Sequence, residues 1–246
     1  MKKGFFITGT DTDVGKTYVA SKLIRAFSDN KCKVSGFKPV ASGSVRINGD
    51  LKNNDALSLM NEASVSLPYK TVNPYCFEPP IAPHIAADQM GVEIDLSTIQ
   101  RCYMEHETAS DVVIVEGAGG WKVPLGPQLS FDDVALALNL PVILVVGLQL
   151  GCINHALLSE AAILSKGCRI VGWVGSQIKA NFNEADENLA TLKARMESPC
   201  IGYFDYQSVT ENNDLLFQEN MNQMLNVLKN DGCFFRLYLR LRWFLS

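Results

Sequence analysis

The stretch Gly9-Thr10-Asp11-Thr12-Asp13-Val14-Gly15-Lys16-Thr17 joins an apolar run to a segment of helical period. A glycine-bearing turn in that place presents backbone N–H groups at a helix N-terminus, which cradles anions such as phosphate. Lys16 would reach the terminal phosphates and the Thr17 hydroxyl would ligate Mg²⁺. The common phosphate-loop spacing puts a glycine at position 10; Thr10 stands there, and Gly9 lies one residue earlier. An ordinary strand-to-helix turn capped by Asp13 is the bland alternative, and it leaves Lys16 unexplained. Asp11 and Asp13 suit a triphosphate if their carboxylates turn away from it or serve another ligand.

Two further apolar runs end in reactive side chains. Phe37 leads into Lys38-Pro39-Val40-Ala41-Ser42-Gly43, and Pro39 biases Lys38 toward extended backbone. Val115 leads into Glu116-Gly117-Ala118-Gly119-Gly120-Trp121, a carboxylate followed by glycines that allow close backbone approach to a ligand. Mg²⁺ takes one or two protein carboxylates and completes its shell with phosphate oxygens and water. Glu116, Thr17 and one more acid would suffice. A solvated lysine and a turn-capping glutamate are the bland readings. Asp55 is anonymous, since Asn53-Asn54-Asp55 reads simply as a helix start. His84, His106 and His155 show no metal-ligand spacing.

These groups need a scaffold. Strands are predicted at 4–8, 34–37, 112–115, 142–146, 170–174 and 200–204, several of them continuously apolar as parallel strands covered on both faces are. Helices are predicted at 16–28, 55–62, 95–108, 153–165 and 184–197. The alternation predicts one α/β domain over 1–232, with a mostly parallel sheet flanked by helices on both faces. Residues 41–93 read as loop-heavy, with Pro79, Pro80 and Pro83. The tail 233–246 has another character: Leu237, Leu239, Leu241 and Trp243 alternate with Arg236, Arg240 and Arg242, as an added edge strand or a dimer contact would.

Composition excludes several classes. The chain has 246 residues, 47% apolar, with a net charge of −4, which suits a globular core and not a disordered chain. It has no basic excess for nucleic acid. The cleanest apolar run, 141–148, is far shorter than the roughly 20 residues that span a bilayer. Seven scattered cysteines without a C-x-x-C pair indicate a reducing compartment, hence the cytoplasm.

Together with Gly151-Cys152-Ile153-Asn154-His155, the three blocks above resemble the signature blocks of the dethiobiotin synthetases, in order and at similar spacing over roughly residues 3–205. The resemblance implies a P-loop NTPase-like scaffold and a ligase of biotin synthesis. Its substrates would be 7,8-diaminononanoate, CO₂ or bicarbonate, and ATP as co-substrate, with Mg²⁺. An amine captures CO₂ as a carbamate, ATP phosphorylates it to a carbamic-phosphoric anhydride, and the second amine closes the ring. Carried over, Lys38 and Lys16 are catalytic. Thr12, Lys38 and Ser42 meet the diamine, and Thr17, Asp55 and Glu116 hold the metal. ATP would be lined by Thr12, Asp13, Val14, Gly15, Lys16, Thr17 and Tyr18, by Asp55, by Glu116 to Gly119 through Gly117 and Ala118, and by Ser176 and Gln177.

The Gly151 block opens a predicted helix, whose free N–H groups would receive the substrate carboxylate. In the family this block serves the neighbouring subunit, so Gly151, Cys152 and Asn154 imply a homodimer with the active site at its interface. A capping Asn154 beside a buried Cys152 is the bland reading. Ser176-Gln177 and Asp205 depart from the family's Asn-Asp and proline, and predict weak discrimination among nucleoside triphosphates. Gln149 stands where a lysine is frequent. A partitioning-type regulatory ATPase shares the scaffold, but its signature lysine would sit where Asp11 stands. Amide-forming synthetases of cobyric acid metabolism share it too, with an added amidotransferase domain for which 246 residues leave no room.

Overall fold

The computed structural model describes residues 4–180, 182 and 184–206; the tail 233–246 lies outside them. The chain runs β1 (Gly4–Gly9), α1 (Lys16–Asp29), β2 (Val34–Phe37), β3 (Val40–Ala41), β4 (Val45–Ile47), β5 (Asp50–Lys52), α2 (Asn54–Glu62) and α3 (Tyr69–Val72). It continues through β6 (Tyr75–Cys76), α4 (Pro83–Gln89), α5 (Leu96–Ala109), β7 (Val112–Gly120), α6 (Phe131–Leu138) and β8 (Val142–Gly147). The described part closes with α7 (Cys152–Ser165), β9 (Ile170–Ser176), α8 (Ala185–Arg195) and β10 (Cys200–Phe204).

Six strands form one sheet in the order β10-β9-β8-β1-β7-β2, and every pairing in it is parallel. These are the six predicted strands. Along β1 successive side chains enter opposite layers, as the two-residue period of a strand requires. Phe5 and Ile7 pack with Val19, Leu23 and Phe27 of α1. Phe6 packs on the other side with residues of α5, α6 and α7. Both faces are therefore covered, which explains why β1 and β8 are buried at every position. Among the described residues no helix is long and apolar enough to cross a membrane.

The boundaries differ in three places. Predicted strand 112–115 continues to Gly120, so Glu116 lies within β7 instead of in a turn after it. Its ladder with β1 runs on through Ile7 to Glu116 and, past a register shift, Gly9 to Gly120. Helix α6 was not predicted, although Ser130 and Asp133 form a capping box at its start. The segment 41–93 is ordered by short elements: parallel β3 and β6, the hairpin β4–β5, and helices α2, α3 and α4. Pro83 there opens α4, where its missing N–H costs nothing.

Candidate active site

β1 lies between β7 and β8, so the crossover direction reverses there. Ligands of open parallel sheets bind outside the strand ends at such a point. The turn after β1 leads into α1 with Asp13 at φ 57° and Gly15 at φ 92°. Gly15, not Asp13, is the N-cap residue. The position of Gly9 also has a physical cause. Val14 is buried beneath the loop, and a Cβ on Gly9 would meet Val14 Cγ2 at 2.7 Å. The glycine therefore stands where the loop's own valine packs back on the strand.

A cavity of about 840 Å³ opens at these strand ends, within the size range of pockets that hold small ligands. Thr12, Asp13, Gly15, Lys16 and Thr17 line it from the loop, Lys38 and Ser42 from the segment after β2, and Asp55 from the first turn of α2. Glu116, Ala118 and Gly119 line it from β7. Sequence reading missed Pro80, Ile81, Ala82 and Pro83, which form one wall, and Val123 and Pro124, which form another. The proline cluster was the available signal for the first wall; nothing local marks the second.

Lys38 is not a solvated lysine. Its side chain is 3% exposed, and Nζ lies 2.6 Å from Glu116 Oε1, 3.0 Å from Asp55 Oδ2 and 2.9 Å from Gly117 O. Burial alone would lower its pKa, but Glu116 and Asp55 outweigh that and hold the ammonium above its ordinary value. Burial likewise works against the Asp55 carboxylate, and Lys38 overcomes it, leaving Asp55 below the usual range. Glu116 is wholly enclosed; burial, helped by Asp55, raises its carboxyl against the pull of Lys38. Burial and then the Lys38 charge bring Lys16 down to about 8. Lys16 Nζ donates to Asp11 O at 2.7 Å, inside the loop.

The donor set fits Mg²⁺. Thr17 Oγ1 donates to Glu116 Oε1 at 2.8 Å, whereas Glu116 Oε2 is buried with no hydrogen-bond partner among the described residues. An enclosed carboxylate oxygen left without a donor is costly unless a cation meets it. Two carboxylates and a hydroxyl leave room for the phosphate and water oxygens that Mg²⁺ prefers. Ser42 Oγ is a second buried oxygen without a partner among the described residues, at the cavity wall.

Other predicted residues do not line the cavity. Val14 sits under the loop, and Tyr18 packs edge-on against Phe204 with ring centroids 5.2 Å apart. Gly117 contributes its carbonyl to Lys38. Ser176 is buried, and a Cβ on Gly15 would meet its Oγ at 2.6 Å. Gln177 spends its amide inside the chain: Nε2 donates to Lys179 O, and Oε1 accepts from Tyr203. Gly151, Cys152 and Asn154 do not line the cavity. Gly151 is the N-cap residue of α7, Cys152 is buried with Sγ donating to Asn188 Oδ1, and Asn154 is exposed and caps nothing.

A six-stranded parallel sheet with a phosphate loop at its reversal point defines a P-loop nucleotide-binding α/β protein, and the solved structures agree on that fold. The MinD cell division protein of Aquifex aeolicus is similar at TM-score 0.58 and 14% identity, over 93% of this chain and 98% of that one. A ParA family ATPase from Chlorobium tepidum is similar at TM-score 0.51 and 12% identity, over 94% of each chain. A family model described as an AAA domain matches residues 3–214. The ATP-dependent dethiobiotin synthetase BioD of Pseudomonas paraeruginosa is 47% identical over 199 residues, 80% of this chain and 87% of its own length. That of Vibrio vulnificus is 41% identical over 215 residues, covering 87% and 95%. The chain belongs to the ATP-dependent dethiobiotin synthetase family and is an ATP-dependent ligase.

Proposed function

We propose that this chain converts 7,8-diaminononanoate, CO₂ and ATP into dethiobiotin, ADP and phosphate, the penultimate step of biotin synthesis. The observation that carries this reading is the arrangement around one cavity of two lysines, Lys16 and Lys38, with the Thr17, Asp55 and Glu116 oxygens. A neutral amine of the diamine attacks CO₂ and loses a proton, giving a carbamate that the Lys38 ammonium holds. A carbamate oxygen attacks the γ-phosphorus of ATP; the bond to the β-bridging oxygen breaks, and ADP leaves. The second amine attacks the carbon of the resulting carbamic-phosphoric anhydride. Phosphate departs, the amine proton goes to solvent, and the five-membered urea closes.

Lys16 and the loop N–H groups follow the transferring phosphoryl, so catalysis is mainly positioning and charge neutralisation. Thr17, Asp55 and Glu116 would hold Mg²⁺, which supplies further neutralisation of phosphate charge when bound. Thr12 and the Ser42 hydroxyl, which has no partner among the described residues, contact the diamine. Gly151, Cys152 and Asn154 serve the site of a second copy. In support, Leu150 is 93% exposed beside the α7 N-terminus and Leu158 is 62% exposed on α7, apolar surface that a homodimer would cover. We also read residues 1–232 as one domain and the enzyme as cytoplasmic, acting without nucleic acid or membrane, in keeping with its net charge of −4.

The test is a coupled assay of ADP release with diaminononanoate and bicarbonate omitted in turn. Release should require both. Hydrolysis indifferent to either would favour a nucleotide-switched ATPase and end this reading.

A further inference from the structure

Lys38, Asp55 and Ser42 are joined by a network of Asn53, Tyr69 and Asn73, none of which belongs to the phosphate loop, although Asp55 also bonds Thr17 of that loop. Asn73, wholly buried, donates from Nδ2 to Lys38 O at 2.7 Å and to Tyr75 O at 3.1 Å. Asn53, also buried, caps α2 by accepting from Asp55 N at 3.0 Å and Ala56 N at 3.2 Å, and its Nδ2 donates to Ser42 O at 3.3 Å. The Tyr69 hydroxyl joins the two asparagines: it accepts from Asn53 N at 2.7 Å and donates to Asn73 Oδ1 at 2.9 Å. The Lys52 ammonium lies 4.0 Å from the centroid of the Tyr69 ring. Burial, together with the Cys76 sulfur, keeps the phenol above its usual range, so the donated proton stays in place.

We propose that Tyr69 is a positioning residue for the reaction, its hydroxyl fixing Lys38, Asp55 and Ser42 relative to one another. The proposal rests on the roles given to those three residues above. Tyr69 touches no reacting atom. Without its hydroxyl, Asn73 Oδ1 and Asn53 N each lose a partner, and the clamp on Lys38 O becomes free to shift independently of the cap on α2. Misplacement on the order of 1 Å away from the chemistry costs about 10²-fold in rate. The phosphate loop has anchors of its own, through Thr10 N to Val145 O at 2.9 Å, Gly147 N to Thr10 Oγ1 at 3.3 Å and Thr17 Oγ1 to Glu116 Oε1 at 2.8 Å. Because those anchors survive, turnover should suffer far more than nucleotide binding, a separation that general destabilisation would not produce.

The decisive measurement is steady-state kinetics of Tyr69→Phe in the full chain. Turnover is expected to fall roughly 10–100-fold with KM for ATP within about threefold of wild type. Turnover within about twofold of wild type, or an equal loss of ATP affinity, would overturn the proposal. Should Tyr69→Phe not accumulate folded, Asn53→Ser decides: serine still caps α2, but its shorter side chain does not reach Ser42 O. It should raise KM for the diamine about tenfold at unchanged ATP affinity, and an unchanged diamine KM would overturn the network. Lys38→Ala run alongside separates the two levels of inference. An active Lys38→Ala defeats the proposed function, whereas an inactive one beside a wild-type-like Tyr69→Phe defeats only the role of Tyr69.

Discussion

At the residue scale the site is a balance of buried charges, and each lysine should fail in its own way. Lys16 sits in the loop with its ammonium brought down to about 8, and its task is to meet phosphoryl charge. Lys16→Ala should lower turnover by about 10²–10³ or more, the scale seen when a key electrostatic donor is lost; turnover near wild type would contradict the loop assignment. Lys38 faces the carboxylates instead. Lys38→Ala should abolish ring closure while nucleotide affinity, measured by titration, stays within a few-fold. Base selection belongs to this scale too. The Gln177 amide is tied to Lys179 O and Tyr203, which fixes its direction and leaves one N–H and one lone pair for reading a base edge. Turnover with ATP, CTP and GTP under equal conditions should differ by less than about a hundredfold, the discrimination expected of a site not built to hydrogen-bond its ligand.

At the element scale, α5 and α3 meet behind Lys38 through His106. Its Nδ1 lies 2.9 Å from Ser35 Oγ and its Nε2 3.3 Å from Thr71 O. A carbonyl only accepts, so Nε2 carries the hydrogen and the neutral ring is the form that fits. Burial lowers its pKa to about 4, against opposing contributions from the Thr71 carbonyl and Glu105. The unfolded chain binds a proton near pH 6.5 and the folded chain only near 4, so this contribution is complete above 6.5 and lost as pH falls between the two values. Urea unfolding of wild type and His106→Gln should show the wild type's advantage shrinking by about 3 kcal/mol from pH 7.5 to pH 4. A constant difference would contradict the buried neutral ring. His106 carries no sequence signal of this role, because the partners come from β2 and α3, far along the chain. The continuous apolar runs, by contrast, located all six sheet strands. The extension of β7 past Val115 was hidden because its glycines, read as ligand-approach positions beyond the strand, continue the ladder to Gly9 and Gly120. Asp55 illustrates the same limit: a helix start at Asn53-Asn54-Asp55 was legible, but the 3.0 Å contact of Asp55 with Lys38 is a property of the fold.

At the scale of the whole molecule, the Gly151 block is set apart from the cavity that its own chain lines. A helix N-terminus that receives a carboxylate has to be brought to that carboxylate. If a second copy does this across a two-fold axis, each site takes Lys38 from one subunit and the α7 N-terminus from the other. Asn154→Glu is a suitable probe. The position is exposed, and a glutamate in the first turn of α7 is compatible with the helix dipole. Its charge would nevertheless oppose the substrate carboxylate, so Asn154→Glu and Lys38→Ala should each be inactive alone. Unfolding and refolding the two variants together at equal concentration makes half of the dimers mixed. One site in each mixed dimer then inherits both defects and the other neither, so about a quarter of wild-type activity should return. Were the block to act within its own chain, every site in the mixture would keep one defect and no activity would reappear.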